Sequence, residues 1–138
     1  MKGQYLTVEY VLFFAIGTAL VTGMYMTFSG INDSLAKDAA TMQLEQTGEM
    51  IRDATVNVYQ FGKRTNSKIA YDLEIPTKLS GHTYMILYRD GLNVNSTKNT
   101  RIGTTLSLYN INIKAPNIIY STKGNIRITY SDNQVEFS

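Results

Sequence analysis

The sequence predicts an α+β protein, with a long N-terminal hydrophobic helix followed by a C-terminal antiparallel β domain of sandwich or barrel-like form. An apolar run extends from Tyr10 to Phe28, and no proline occurs between Met1 and Ile75. From Ile69 onward, apolar residues alternate with polar ones, and Gly, Asn and Asp mark close turns. This change of period predicts a helix that gives way to short paired strands.

The apolar run has the composition of a membrane-spanning helix. Its length approaches the roughly 20 residues that a helix needs to cross the hydrocarbon core of a bilayer. Up to Gly30, the only charged side chains are those of Lys2 and Glu9. Small residues lie among the large ones and allow close approach of helix backbones. Segment 4–30 is therefore predicted to be buried in a membrane or in a core of packed helices.

The next segment, 31–62, is predicted to continue the helix in amphipathic form. It is rich in Ala, Met, Gln, Glu and Lys, which favour helix as a set. The predicted apolar stripe consists of Ile31, Leu35, Ala39, Met42, Met50, Ala54 and Val58. We expect one helix from about Tyr5 to about Phe61, with Gly30 as a candidate kink and a stop and turn over 62–67.

The remaining segment, 68–138, predicts a β-rich domain of about six to eight short strands. Asp90-Gly91 predicts a hairpin, a polar loop is expected over 95–100, and Asp132-Asn133 predicts another turn. The apolar positions change from even numbers, Leu106 and Leu108, to odd numbers, Ile111 and Ile113. This one-residue shift in the alternation predicts a bulge near Tyr109-Asn110. The alternating segments are 69–75, 84–88, 92–94, 106–108, 111–113, 118–120, 126–130 and 135–137.

Composition argues against several classes of function. The chain has no cysteine, which excludes disulfides and thiolate metal sites, and its net charge of +2 is too small to predict nucleic-acid binding. His82 is the only histidine, and a solvent-facing loop position is favoured over a catalytic one. Asp72 and Glu74 share a strand face, which an exposed surface explains better than acid–base chemistry. We predict no enzyme activity, no cofactor and no metal site; Gly62-Lys63-Arg64 lacks the spacing of a phosphate loop.

Glu9 is the unusual residue of the apolar segment. A plain membrane anchor leaves it unexplained, because a carboxylate at the membrane edge needs a partner. A secretory signal peptide is disfavoured, because no A-x-A-like cleavage site follows the apolar run. The simplest alternative role is that of a residue in the first turn, stabilised by the helix dipole.

Four features together resemble the archaeal type IV pilins and archaellins that carry a class III signal peptide. These are Lys2-Gly3 before Gln4, Glu9 at the start of the apolar run, the long helix and the β-rich C-terminal region. The resemblance implies that a prepilin peptidase removes a leader, 1–3, on the cytoplasmic side. Cleavage after Gly3 makes Glu9 the sixth mature residue, whereas cleavage after Gln4 makes it the fifth, as is usual in such families.

The same resemblance implies a structural subunit, major or minor, of a cell-surface filament whose helices pack in the core and whose β domains face outward for adhesion. The implied partners are identical or related pilins, the prepilin peptidase, the membrane assembly platform, and the membrane before assembly; no nucleic acid is implied. Glu9 is expected to pair with the new α-amino group during assembly. The expected assembly residues are Glu9, Tyr10, Leu12, Phe13, Ile16 and Leu20.

Two further expectations concern the surface of the protein. Asn95-Ser96-Thr97 and Asn32-Asp33-Ser34 match the N-x-S/T glycosylation pattern, and Asn95 is favoured because an exposed loop is predicted there. The alternative function is a membrane-anchored surface protein whose β domain binds an envelope or archaellum component. That alternative predicts an intact N-terminus and no polymer.

Overall fold

The computed structural model describes residues 2–114 and 118–138 and confirms the predicted α+β class. One long helix precedes two antiparallel sheets. A short 3-10 helix, Ser121–Lys123, joins the fifth and sixth strands. The elements are α1 (Lys2–Thr65), β1 (Ile69–Glu74), β2 (Tyr84–Tyr88), β3 (Leu92–Ser96), β4 (Gly103–Leu106), β5 (Ile118–Tyr120), β6 (Asn125–Ser131) and β7 (Gln134–Phe137).

The chain divides into two compact units, and the division falls inside α1. The first unit, Met1–Ala36, contains the apolar part of the helix, and every side chain described from Gly3 to Ala36 is exposed. The second unit, Lys37–Ser138, contains the rest of the helix and all the strands. Buried hydrophobic side chains from the helix and both sheets form one core in the second unit.

The second unit contains both sheets. The first sheet has the strand order β1-β6-β7, and the second has the order β4-β3-β2-β5. The described residues contain seven strands, within the six to eight expected, but the alternating segment 111–113 contributes only an isolated bridge between Ile113 and Val135. Alternation along the strands is regular: in β2, Tyr84, Ile86 and Tyr88 are buried, whereas Met85 and Leu87 are half-buried.

The buried face of α1 differs from the predicted stripe. Val58 is buried and Ala54 is half-buried, but Ile31, Leu35, Ala39, Met42 and Met50 are exposed. The positions that are buried recur at steps of three and four and include small and polar residues. They are Leu44, Thr47, Gly48, Ile51, Thr55, Val58 and Gly62.

Close packing explains why these small and polar residues are buried. A Cβ added at Gly48 would lie 2.9 Å from Cδ1 of Leu106, and one added at Gly62 would collide with the ring of Tyr130. The hydroxyl of Thr55 donates a 2.7 Å hydrogen bond to the carbonyl of Ile51, so burial leaves no free donor there. The helix therefore packs on the sheets through the face that fits them closely, and the more hydrophobic face with Met42 and Met50 is exposed.

Two of the predicted turns are present in the structure, and one predicted bulge is not. The hairpin predicted at Asp90-Gly91 joins β2 to β3, and Asp132 and Asn133 turn β6 into β7 with φ values of 53° and 61°. The predicted bulge at Tyr109-Asn110 is wrong. Both residues have positive φ, and the amide of Ile111 donates to the carbonyl of Leu108 at 3.1 Å, which makes this segment a turn.

Two predicted boundaries also change. The helix continues through Gly62 to Thr65, and Asn66 then adopts a left-handed φ of 48°, as is common after a helix end. The loop predicted over 95–100 is present but begins at Thr97, because Asn95 lies in β3, where it pairs with Met85 and Gly103. At Gly30, the candidate kink, the helix continues without a break.

Candidate functional site

The first unit presents an apolar helix surface. Five of the six expected assembly residues, Glu9, Leu12, Phe13, Ile16 and Leu20, recur at spacings of three and four, which places them along one helix face. Tyr10 lies about 100° around the helix from Glu9, because consecutive residues are separated by that angle. All the apolar members of the set are exposed. The structure therefore brings a carboxylate and a row of large apolar side chains together on one surface.

Threonine hydroxyls in this unit are satisfied within the helix. Thr18 donates to the carbonyl of Phe14, and Thr22 donates to that of Thr18, both at 2.8 Å. Thr7 and Thr27 make the same bond to the carbonyl four residues earlier. Because no polar hydrogen of these side chains needs water, they are compatible with lipid or with packed helices.

Glu9 is the charged group of this face. Among the residues that the structure describes, it makes no hydrogen bond or ion pair. Gly3 and Gln4, the expected processing residues, lie in the first turn of α1 and are exposed. Met1 and the side chain of Lys2, parts of the expected leader, lie outside the described residues. If the apolar face is covered, the carboxylate requires a partner from another molecule or from a new N-terminus.

The N-terminal part of α1 is long and apolar enough to cross a membrane. None of its apolar window is buried inside the protein. A signal sequence near an N-terminus meets the same criteria of length and composition. These properties support association with a membrane and leave the mode of association open.

The outer face of the first sheet is charged. Arg127 in β6 donates two hydrogen bonds to Asp72 in β1, from Nε to Oδ1 at 2.6 Å and from Nη2 to Oδ2 at 2.8 Å. These hydrogen bonds lower the pKa of Asp72 below its usual value. On the same sheet, Glu136 accepts a 3.4 Å contact from Lys114. Asp72 is thus the partner of an arginine, and the structure does not join it to Glu74 as a carboxylate pair.

Over the residues that the structure describes, the outer face of the second sheet has no charged side chain on its strands. None of its four strands contains Asp, Glu, Lys or Arg. Strand register places two rows of residues on this face. One row is Gly103, Asn95, Met85 and Tyr120, and the other is Thr105, Asn93, Leu87 and Ile118. A sequence signal for this face exists, because the solvent-side positions of these strands lack charged residues.

The other candidate residues occupy separate places. His82 is exposed and closes a tight turn, with its Nδ1 atom 2.7 Å from the carbonyl oxygen of Ser80. Asn32 is exposed on α1 in the first unit, whereas Asn95 is half-buried in β3. Within residues 2–114 and 118–138, no group of three or more His, Asp or Glu side chains is close enough to hold a metal ion.

Comparisons with protein-family profiles, with curated proteins and with solved structures found no match to this chain.

Proposed function

We propose that this chain is a structural subunit, a major or minor pilin, of an archaeal type IV pilus-like filament on the cell surface. In the filament, the first-unit helices of many copies pack together and the β domains face outward. One observation carries the proposal: a helix of large apolar side chains is exposed throughout the first unit, while the second unit has a core of its own. Each such side chain gains about 1.5–3 kcal/mol when it is buried.

Glu9 supports a filament over a simple anchor. Its carboxylate lies on the same helix face as Leu12, Phe13 and Ile16 and has no partner among the described residues. A cation supplied by a new α-amino group offsets the cost of burying that carboxylate when helices pack. The resemblance of the first residues to a prepilin processing site supplies such a group, because cleavage after Gly3 or after Gln4 creates it.

The second candidate is a membrane-anchored surface protein whose β domain binds a partner in the envelope. The length and composition of the apolar segment favour it, and so do the internally bonded threonine hydroxyls. This candidate needs no cleavage, but it supplies no partner for Glu9. The two candidates therefore differ at the N-terminus.

The mass of the N-terminal peptide, taken from the protein on native cells, distinguishes the two candidates. The filament proposal predicts loss of residues 1–3, or of 1–4, before incorporation into the surface structure. Removal of Met1 alone, or an intact N-terminus, contradicts the filament proposal and supports the anchored protein.

A substitution at Glu9 tests the assembly role directly. We expect Glu9→Ala to lower the yield of filaments at least tenfold, because loss of one partner leaves a buried cation unpaired. Folding of the second unit should be unchanged, as measured by near-ultraviolet circular dichroism. Glu45→Ala is the matched control, since Glu45 is an exposed carboxylate of the same helix that lies in the second unit. Normal filament yield from Glu9→Ala would refute the assembly role.

A further inference from the structure

The outer face of the second sheet, formed by the two rows defined above, is the strongest unassigned surface of the protein. Tyr120 and Ile118 are 55% and 52% exposed, although they belong to a strand whose middle residue, Ile119, is buried. Met85 and Leu87 lie next to them on β2, and Asn93 and Asn95 follow on β3. Apolar side chains therefore occupy one half of the face, and amide and hydroxyl groups occupy the other half.

The polar half of the face is held in a defined geometry. Thr105 donates a 2.6 Å hydrogen bond to Oδ1 of Asn93, which fixes the orientation of that amide. The side chain of Asn95 lies across Gly103, where a side chain at position 103 would collide with it. Such preorganisation lowers the entropic cost of binding a ligand.

The charge of the face restricts its partner. The strands of this sheet contain no charged residue, whereas the outer face of the first sheet carries the Asp72–Arg127 pair. A charged partner finds no complementary group on these strands and loses hydration on contact, although Lys123 lines a depression beside Ile118 and Tyr120 at the edge of the face. The matching partner is therefore neutral, with both apolar and hydrogen-bonding surface.

The size of the face restricts the partner further. Four strands spaced about 4.8 Å apart and two rows of residues about 7 Å apart cover roughly 300 Å². A standard interface between proteins buries about 800 Å² on each partner, so this face alone is too small for a stable dimer of the chain. It is large enough for a small ligand that presents a flat surface.

We propose that the outer face of the second sheet binds a neutral oligosaccharide. The ring of Tyr120 and the aliphatic side chains contact the C–H face of a sugar ring. The amide of Asn93 accepts a hydrogen bond from Thr105 and donates one to the carbonyl of Gly91 at 3.4 Å. It therefore keeps one N–H and one lone pair for sugar hydroxyls, and the amide of Asn95 offers further donors. This assignment does not depend on filament formation, because it concerns the second unit alone.

A titration with neutral trisaccharides tests the proposal. The probes are cellotriose, mannotriose and chitotriose, added to the full chain in phosphocholine micelles, because detergents with sugar headgroups would compete. We expect at least one probe to shift the amide resonances of β2, β3 and β5 in a saturable way. Tyr120→Ala should weaken that binding about tenfold, and Asn93→Ala should weaken it severalfold.

The matched control is Tyr71→Ala, which removes a tyrosine of similar exposure, 48%, from a strand of the first sheet. It should leave the affinity for the trisaccharide unchanged. Near-ultraviolet circular dichroism of each variant verifies that the second unit is folded.

Three results would overturn the proposal. The first is that none of the three probes shifts these resonances. The second is equal loss of affinity in Tyr120→Ala and Tyr71→Ala. The third is a glycan attached to Asn95 in the native chain, detected by peptide mass, because the face would then be covered by the protein's own sugar.

Discussion

The two parts of helix α1 differ in which side chains they bury within the protein. Between Gly3 and Ala36, large apolar side chains are exposed on every side. Between Lys37 and Thr65, the helix buries one face on the sheets, and that face includes Gly48, Thr55 and Gly62. Hydrophobicity alone therefore does not identify what this chain buries in its own fold. Close fit determines which face of the helix is buried in the second unit, whereas the apolar side chains of the first unit are exposed.

The largest difference between the two parts is expected from the same substitution at a buried and an exposed isoleucine. Ile51 is 0% exposed, whereas Ile16 is 52% exposed. Ile51→Ala should lower the free energy of unfolding of the second unit by about 2–5 kcal/mol, because it removes buried methylenes and leaves a cavity. Ile16→Ala should change that free energy by less than about 0.5 kcal/mol.

Urea denaturation of the full chain in micelles, followed by near-ultraviolet circular dichroism, measures both effects. If filaments form through the first unit, Ile16→Ala should lower their yield although it leaves stability unchanged. Equal loss of stability in the two variants would show that the first unit packs inside the protein after all, and would break the comparison.

A glycine series sharpens the comparison. Gly62→Ala should destabilise the second unit by about 1–3 kcal/mol, because the new methyl group collides with the ring of Tyr130. Gly48→Ala should cost less, because the neighbouring Cδ1 of Leu106 belongs to a flexible side chain.

Gly30→Ala is the control of the series. No atom lies within 4 Å of a Cβ added at Gly30, so alanine should stabilise the helix by up to about 1 kcal/mol. Thermal denaturation of the three variants under one condition gives the order of stability. A result in which Gly62→Ala is as stable as Gly30→Ala would contradict the packing of α1 on the first sheet.

Sequence reasoning predicted the parts of the fold that depend on local pattern. Alternation and turn residues predicted most of the strands and the hairpins at Asp90-Gly91 and Asp132-Asn133, because these signals are contained in a few neighbouring residues. The buried face of α1 was predicted incorrectly, because Gly48 and Gly62 are buried where a side chain would collide with Leu106 and with the ring of Tyr130. A pattern of hydrophobic residues carries no information about that fit.

The candidate surfaces show the same limit. The row of Glu9, Leu12 and Ile16 could be predicted, since helical spacing alone places these residues on one face. The uncharged face of the second sheet depends on strand order, because β5 joins β2 from a distant part of the sequence. Neither the neighbours of Tyr120 nor the strand position of Asn95 follows from local pattern, so both required the structure.

The two units also differ in their tyrosines, because several are buried in the second unit and those of the first are exposed. The resulting loss of stability at high pH is the smallest of the three effects that we expect. In the second unit, burial raises the pKa of Tyr84 from 10.0 to about 12 and also raises that of Tyr88. In the first unit, Tyr5, Tyr10 and Tyr25 are exposed. Because the folded state holds the proton of Tyr84 more tightly, its contribution to stability is complete below pH 10 and is lost as the pH rises through 12.

The free energy of unfolding of the second unit should therefore fall as the pH rises above 10. Urea denaturation between pH 9 and 12 measures the slope. Tyr84→Phe should make the slope shallower, although it also costs about 1 kcal/mol at neutral pH because the 2.6 Å hydrogen bond to the carbonyl of Pro76 is lost. Tyr71→Phe removes a half-exposed hydroxyl and should keep the original slope. An unchanged slope in Tyr84→Phe would mean that its hydroxyl is hydrated in the folded protein, which would weaken the contrast between a closed second unit and an open first unit.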